Sequence, residues 1–109
     1  MENFFQKEVD KYIKQFEEGY WSPLSILAAL TEEVGELARE INHLFGEKRK
    51  KRSSKKSIKN LEIELGDLLF TLCCIANKYG IDLEKALKKT IEKYNKRDIN
   101  RWKRKSDLK

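Results

Sequence analysis

Residues 30–37 read LTEEVGEL and residues 61–68 read LEIELGDL, one pattern, Leu-x-x-Glu-(Val/Leu)-Gly-(Glu/Asp)-Leu, given twice. Each copy sets two carboxylates three residues apart around a glycine, in a stretch otherwise apolar enough to form core. A helix turns about 100° per residue, so with Glu33 at 0° the side chains of Leu37, Leu30, Ile41 and Val34 fall near 40°, 60°, 80° and 100°, and Glu36 near −60°. With Glu64 at 0°, the residues Leu68, Leu61, Leu72, Leu65 and Asp67 take the same five places, to about the same angles. The two segments therefore read as helices carrying one apolar stripe and one acidic edge in matched phase. Acids three apart sit about 5–6 Å from each other.

Packed antiparallel, the two edges converge into four carboxylates at the core boundary: Glu33, Glu36, Glu64 and Asp67. Like charges at that range protonate, repel or share a cation, and a hard divalent ion with oxygen ligands resolves the conflict. Gly35 and Gly66 each cost a helix about 1 kcal/mol relative to Ala. That cost is accounted for if a ligand approaches the backbone between the acids. Solvated acids at a helix rim are the ordinary alternative for one Glu-x-x-Glu. Two pairs in the same phase, each bracketing a glycine, weigh against it.

The rest of the chain extends the helical reading. Phe4, Phe5, Val9, Tyr12, Ile13 and Phe16 keep a three-to-four spacing and predict a first helix over 3–18, stopped by Gly19. Ser22 before Pro23 supplies an N-cap and a proline at the first helical position, opening a second helix that runs to Gly46. A third starts at Ser57 and ends at Gly80, and Asp82 caps a fourth holding Leu83, Ala86, Leu87, Ile91 and Tyr94. Strict alternation over a useful length is missing, so no strand is expected. The fold class is all-α, four-helix bundle-like, as a single domain over 1–109. At 109 residues the core is modest, and a homo-oligomer is expected to complete it.

A net charge of +6 raises the question of nucleic acid. Seven of the 24 basic residues lie in Lys48–Lys56, KRKKRSSKK, and without them 17 positive charges face 18 negative ones. The basicity is local: a loop over 47–56, a cationic segment after Lys93, and a tail over 98–109. No apolar run approaches the roughly 18 residues of a membrane span, and MENFFQKEVD has no apolar signal core, so a cytoplasmic protein is expected. Cys73 and Cys74 are adjacent, about 3.8 Å apart across one peptide, which is short for a disulfide. They read as reduced core residues. No His cluster or second Cys pair supports zinc.

On these residues the chain resembles the MazG-like nucleotide pyrophosphohydrolases of the all-α NTP pyrophosphatase superfamily. The motif is Glu32-Glu33-x-x-Glu36 followed by Glu64-x-x-Asp67, and the likeness runs from GYWSPLSILAALTEEVGELAREINHLFGEK through ELGDLLFTLCCIANKYGIDLEKA to KYNKRDINRW. The resemblance implies hydrolysis of (d)NTPs between the α and β phosphates to a nucleoside monophosphate and pyrophosphate, with Mg²⁺ as cofactor and Mn²⁺ as substitute. It implies Glu33, Glu36, Glu64 and Asp67 as metal ligands. Glu32 and Glu36 are then the catalytic acids, Glu32 as orienter or base for water or else a solvated surface acid. Lys93 and Arg97, four apart on the last helix, become phosphate ligands, and Asn77 a substrate contact or a helix-end hydrogen-bonding group. Trp21 and Trp102 stay outside this primary site as core or interface residues.

Three rival readings remain, of which a non-catalytic helical interaction domain would leave the acids without a ligand. A nucleic-acid-binding helical module would use KRKKRSSKK and RWKRK as an electrostatic surface, which leaves the matched acids unexplained. A di-iron carboxylate protein would use Glu40 and His43, but such a site needs two Glu-x-x-His motifs and the chain has one His.

Overall fold

The computed structural model describes residues 3–45, 54–103 and 105. Its elements are α1 (Phe4–Ile13), α2 (Pro23–Phe45), α3 (Ser54–Lys78) and α4 (Leu83–Asp98). No strand occurs among the described residues. Most of the expected basic loop, 47–53, lies outside them, as do Arg104 and the last four residues of the tail.

Four boundaries follow from local chemistry. Asn3 caps α1 by accepting the Gln6 N–H at 2.9 Å, and Asp82 caps α4 by accepting from the Glu84 and Lys85 N–H groups at 2.9 and 3.3 Å. The Ser22 hydroxyl accepts the Ser25 N–H at 3.3 Å in front of Pro23, as the sequence implies. At the end of α3 the Ile81 N–H reaches the Ala76 carbonyl at 2.8 Å and the Gly80 N–H the Asn77 carbonyl at 3.3 Å, a Schellman closure for which Gly80 adopts φ +66°.

Two helices differ from expectation. α1 ends at Ile13, not near residue 18: the chain tightens into three-residue turns, with the Gln15 and Phe16 N–H groups bonded to the Tyr12 and Ile13 carbonyls. The Gln15 side chain also donates to the Tyr12 carbonyl at 3.2 Å, competing for the acceptor that a continuing helix would use. α3 begins at Ser54, three residues before the expected Ser57 cap, because Lys55 and Lys56 are good helix formers.

α2 and α3 pack against each other, and Glu33 and Glu36 of the one come near Glu64 and Asp67 of the other. α1 lies along the second half of α3, and its Val9 joins Cys73 and Cys74 in the small core. Both cysteines are free and buried, as expected. α4 meets this core through Leu83 at its first turn.

The seam between α2 and α3 is not where the leucine stripe points. Glu40 is 4% exposed and Thr71 8%, both near −20° on their helices. Val34 and Leu65, near 100°, are each 50% exposed. The acids thus lie on the packed side, and the far half of each apolar stripe is left open. The stripe was expected to form the pair's own interface; in this chain alone it serves only in part.

Candidate metal centre and active site

One helical turn on each side of the α2–α3 seam positions the acids. Carboxylate oxygens of Glu33, Glu64 and Asp67 come within 4.8 Å of one another. Ligands of one octahedral Mg²⁺ ion at about 2.1 Å are about 3.0 Å apart when adjacent and about 4.2 Å when opposite, so side-chain shifts of about an ångström or two would bring this trio to coordination distance. Three hard oxygen donors, with no sulfur or imidazole among them, are the donor set of a magnesium-type ion.

The electrostatics agree with the geometry. Glu33 is held above its ordinary pKa by partial desolvation, then by Asp67 and Glu64 across the seam and Glu36 and Glu32 on its own helix. Glu64 is raised the same way, by desolvation and then by Glu36, Asp67 and Glu40. Charged acids crowd each other here, and a cation would relieve them.

Gly35 and Gly66 stand beside the acids, and a Cβ built on either meets nothing within 4 Å. Nothing in the chain's own packing asks for glycine there. Space has been left next to the carboxylates.

The remaining site candidates divide. Glu36 is outside the trio because Arg39, one turn on, takes its carboxylate at 2.9 Å. Glu32 is exposed beside Glu33. Lys93 and Arg97 are exposed on α4, where they flank the Tyr94 ring at 5.2 and 4.5 Å from its centroid. Arg97 also grips Asp98 with two nitrogens at 2.8 and 2.9 Å. Neither cation pairs with the four acids among the described residues. Asn77 lies ten residues beyond Asp67, about 15 Å along α3, and its amide is bonded to Gln6 and Tyr20.

Two features lay outside the primary site of the sequence reading, which weighed Glu40 only as half of a Glu-x-x-His motif. Glu40 is buried in the seam, with the His43 ring 3.9 Å away, and it adds to the negative potential at Glu64. Its position one turn after Glu36 was the available signal. The second is a cavity of about 470 Å³ lined mainly by Tyr12, Phe16, Tyr20, Trp21, Ala29 and Phe70. Ala29 is one turn before Glu33 and Phe70 one turn after Asp67, so the cavity adjoins the acids along both helices. Trp21, set aside in the sequence, is part of its wall. Trp102 is 64% exposed, with the Arg101 guanidinium 5.2 Å from its ring centroid.

An all-α seam thus gathers three carboxylates, a donor set for a hard cation, beside an aromatic cavity. Residues 21–102 match the MazG nucleotide pyrophosphohydrolase domain, and the chain belongs to that family. It is 54% identical over 102 residues to YpjD of Bacillus subtilis (strain 168), an uncharacterised protein, covering 94% of this chain and 90% of the relative. A second relative from the same strain, the uncharacterised YvdC, is 35% identical over 98 residues, 83% of this chain and 92% of its own. Among solved structures, a crystal structure of Bacillus subtilis YpjD, described as a candidate pyrophosphatase, superposes with a TM-score of 0.78 at 50% identity over 87% of this chain and 98% of that one. A Bacillus-conserved MazG protein, described as a nucleotide pyrophosphohydrolase, gives 0.71 at 52% identity over 88% and 90%. The protein is a nucleotide pyrophosphohydrolase with the all-α MazG-like fold. Among the described residues no helix is long and apolar enough to cross a membrane.

Proposed function

We propose that the protein, as one domain over 1–109 acting in the cytoplasm, hydrolyses (d)NTPs at the α–β phosphate bond, consuming one water and releasing a nucleoside monophosphate and pyrophosphate. The observation that carries this is the juxtaposition of the Glu33, Glu64 and Asp67 oxygens, within 4.8 Å, with a 470 Å³ aromatic cavity one helical turn away. The acids suit the phosphate end and the cavity the base. Glu33, Glu64 and Asp67 would hold Mg²⁺, or Mn²⁺ in its place, and Glu36 completes the set once its carboxylate leaves Arg39. Bound there, the ion supplies charge screening for the triphosphate and acidification of a water.

The chain's own groups do the rest. Glu32, exposed beside Glu33, orients the attacking water and takes its proton. Lys93 and Arg97 offer donors to phosphate oxygens. Tyr12, Phe16 and Trp21 present faces on which a base stacks. Asn77 serves substrate binding through the cavity wall.

The same geometry supports a homo-oligomer, a dimer or tetramer. The chain exposes 9210 Å², whereas a compact monomer of 12.9 kDa exposes about 6,300 Å². Each chain of an obligate pair loses about 1,000–2,500 Å², so an excess of about 2,900 Å² leaves room for at least one such interface. Leu24, Leu27, Val34, Leu65 and Leu87, all at least half exposed, supply apolar area for it.

A panel of canonical and damaged (d)NTPs with Mg²⁺, scored for pyrophosphate against orthophosphate, tests the reading. Pyrophosphate with an equimolar monophosphate is expected. Orthophosphate release, or none of either, contradicts it.

A further inference from the structure

Behind the cavity wall a polar chain ties Asn77 to Gln6 and Tyr20. Gln6 is 1% exposed. Its carboxamide oxygen accepts the Leu83 N–H at 2.7 Å, while its nitrogen donates to the Ile81 carbonyl at 2.7 Å and to Asn77 Oδ1 at 2.9 Å. The Asn77 nitrogen then donates to the Gln6 carbonyl at 3.0 Å and to the Tyr20 hydroxyl at 2.9 Å. The Tyr20 hydroxyl donates to Asp10 Oδ1 at 2.6 Å, and Lys14 holds the other Asp10 oxygen at 2.8 Å. Gln6 and Asn77 thus bond each other reciprocally, and from Asn77 the donors run on through Tyr20 to Asp10. Bonds of this kind reinforce one another in a low-dielectric setting.

Two consequences follow from counting donors. An Asn side chain has two N–H groups and one carbonyl oxygen. In Asn77 both N–H groups and the oxygen are engaged, so no donor is left for a phosphate. The Tyr20 hydroxyl both donates and accepts, so Tyr20 offers the cavity only its ring. Burial and the adjacent Asp10 carboxylate oppose its ionisation, which keeps that donor in place. Tyr20 also packs on the core of Val9, Cys73 and Cys74, and it is the neighbour of Trp21. Gly19, at φ +68°, turns the chain into this segment from α1.

We propose that Asn77 is a positioning residue for the nucleobase: it pins Tyr20, and with it the Tyr20–Trp21 wall, and thereby sets affinity for the base without touching the phosphates. This rests on the nucleotide reading above and deepens it. Because Asn77 lies about 15 Å along α3 from Asp67, with Phe70, Thr71 and Cys74 of the cavity between them, its influence falls at the base end of the substrate.

The test compares Asn77→Ala, Tyr20→Phe and the double variant with wild type in three measurements: kcat and KM for a nucleoside triphosphate, the Kd of a nucleoside monophosphate by calorimetry, and inhibition by inorganic tripolyphosphate, which has no base. Each single variant is expected to raise KM and the monophosphate Kd about tenfold, the scale of one lost hydrogen bond, with kcat within about twofold. The double variant should be no worse than either single one, since both break the same link. Tripolyphosphate inhibition should not change. Equal losses for tripolyphosphate and nucleotide, additive effects, or a fall in kcat at constant KM overturn the proposal. Should Asn77→Ala fail to fold, Tyr20→Phe, which deletes one oxygen, carries the same comparison. A wild-type protein that binds monophosphates but releases no pyrophosphate sinks the functional reading alone, and the Kd values still decide the role of Asn77. No nucleotide binding by wild type overturns both.

Discussion

Replacing Gly35 and Gly66 with alanine should make the protein more stable and less active. Both glycines are in helix interiors, and a Cβ on either meets nothing within 4 Å. The packing cost in the chain is therefore nil, and the whole helix-propensity difference of about 0.8–1.0 kcal/mol per site should appear as stability. Together the two substitutions are worth about 2 kcal/mol, or about 8 °C in Tm for a domain of this size. The new methyl groups stand beside the carboxylates, in the space a phosphate or its ion would enter. A fall in kcat/KM of about tenfold or more matches the loss expected when reacting groups shift by an ångström. Thermal unfolding in EDTA at fixed protein concentration gives the first number, and pyrophosphate release with Mg²⁺ the second. A double variant that is stabilised and fully active would refute the idea that the space serves substrate. One that is destabilised would show that another surface, such as a second copy, packs on the glycines.

Other consequences are open to the same instruments. Glu33 and Glu64 have folded pKa values raised above the ordinary 4.5. Their contribution to stability is therefore fully present below about pH 4.5 and is lost as pH rises through the raised folded value. Asp10, Asp82 and Asp98 act oppositely: their values lie below 3.8, so they stabilise above it and lose that contribution as pH falls. In EDTA, Tm should fall as pH rises above about 4.5. Glu64→Gln should flatten this slope and Mg²⁺ should reverse it, whereas parallel wild-type and variant profiles would contradict the assignment. Leu65→Lys, on the open half of the stripe, should leave helicity by circular dichroism intact and lower the assembled mass seen by sedimentation. An unchanged oligomer would place the interface elsewhere.

The fold was legible because period and punctuation agree. Helical phase put the pair Glu33 and Glu36 and the pair Glu64 and Asp67 on matching edges of two helices without any tertiary information, and the caps at Ser22 and Asp82 and the left-handed Gly80 are local chemistry. What was hidden depends on three-dimensional packing. The leucine stripe marks apolar area but not what covers it, so Val34 and Leu65 looked like seam residues and are half exposed. Arg39 takes Glu36 through a three-residue spacing that was present in the sequence, but an exposed pair of this kind is worth little and competes with solvent. The cavity needs α1 lying on α3, through contacts such as Tyr12 on Phe70 at 5.8 Å, and no periodicity in either helix announces it. The amide of Asn77 is engaged by Gln6, 71 residues away in sequence, a separation that conceals its partner.

The measurement closest to the central claim pairs Mg²⁺ binding with turnover in Asp67→Asn, which keeps the side-chain shape and removes one charge from the trio. The account predicts that calorimetric Mg²⁺ binding weakens by at least about tenfold, in the range that changes to a metal site produce, and that pyrophosphate release from NTPs is abolished while far-ultraviolet circular dichroism is unchanged. Wild-type turnover in this variant would contradict it.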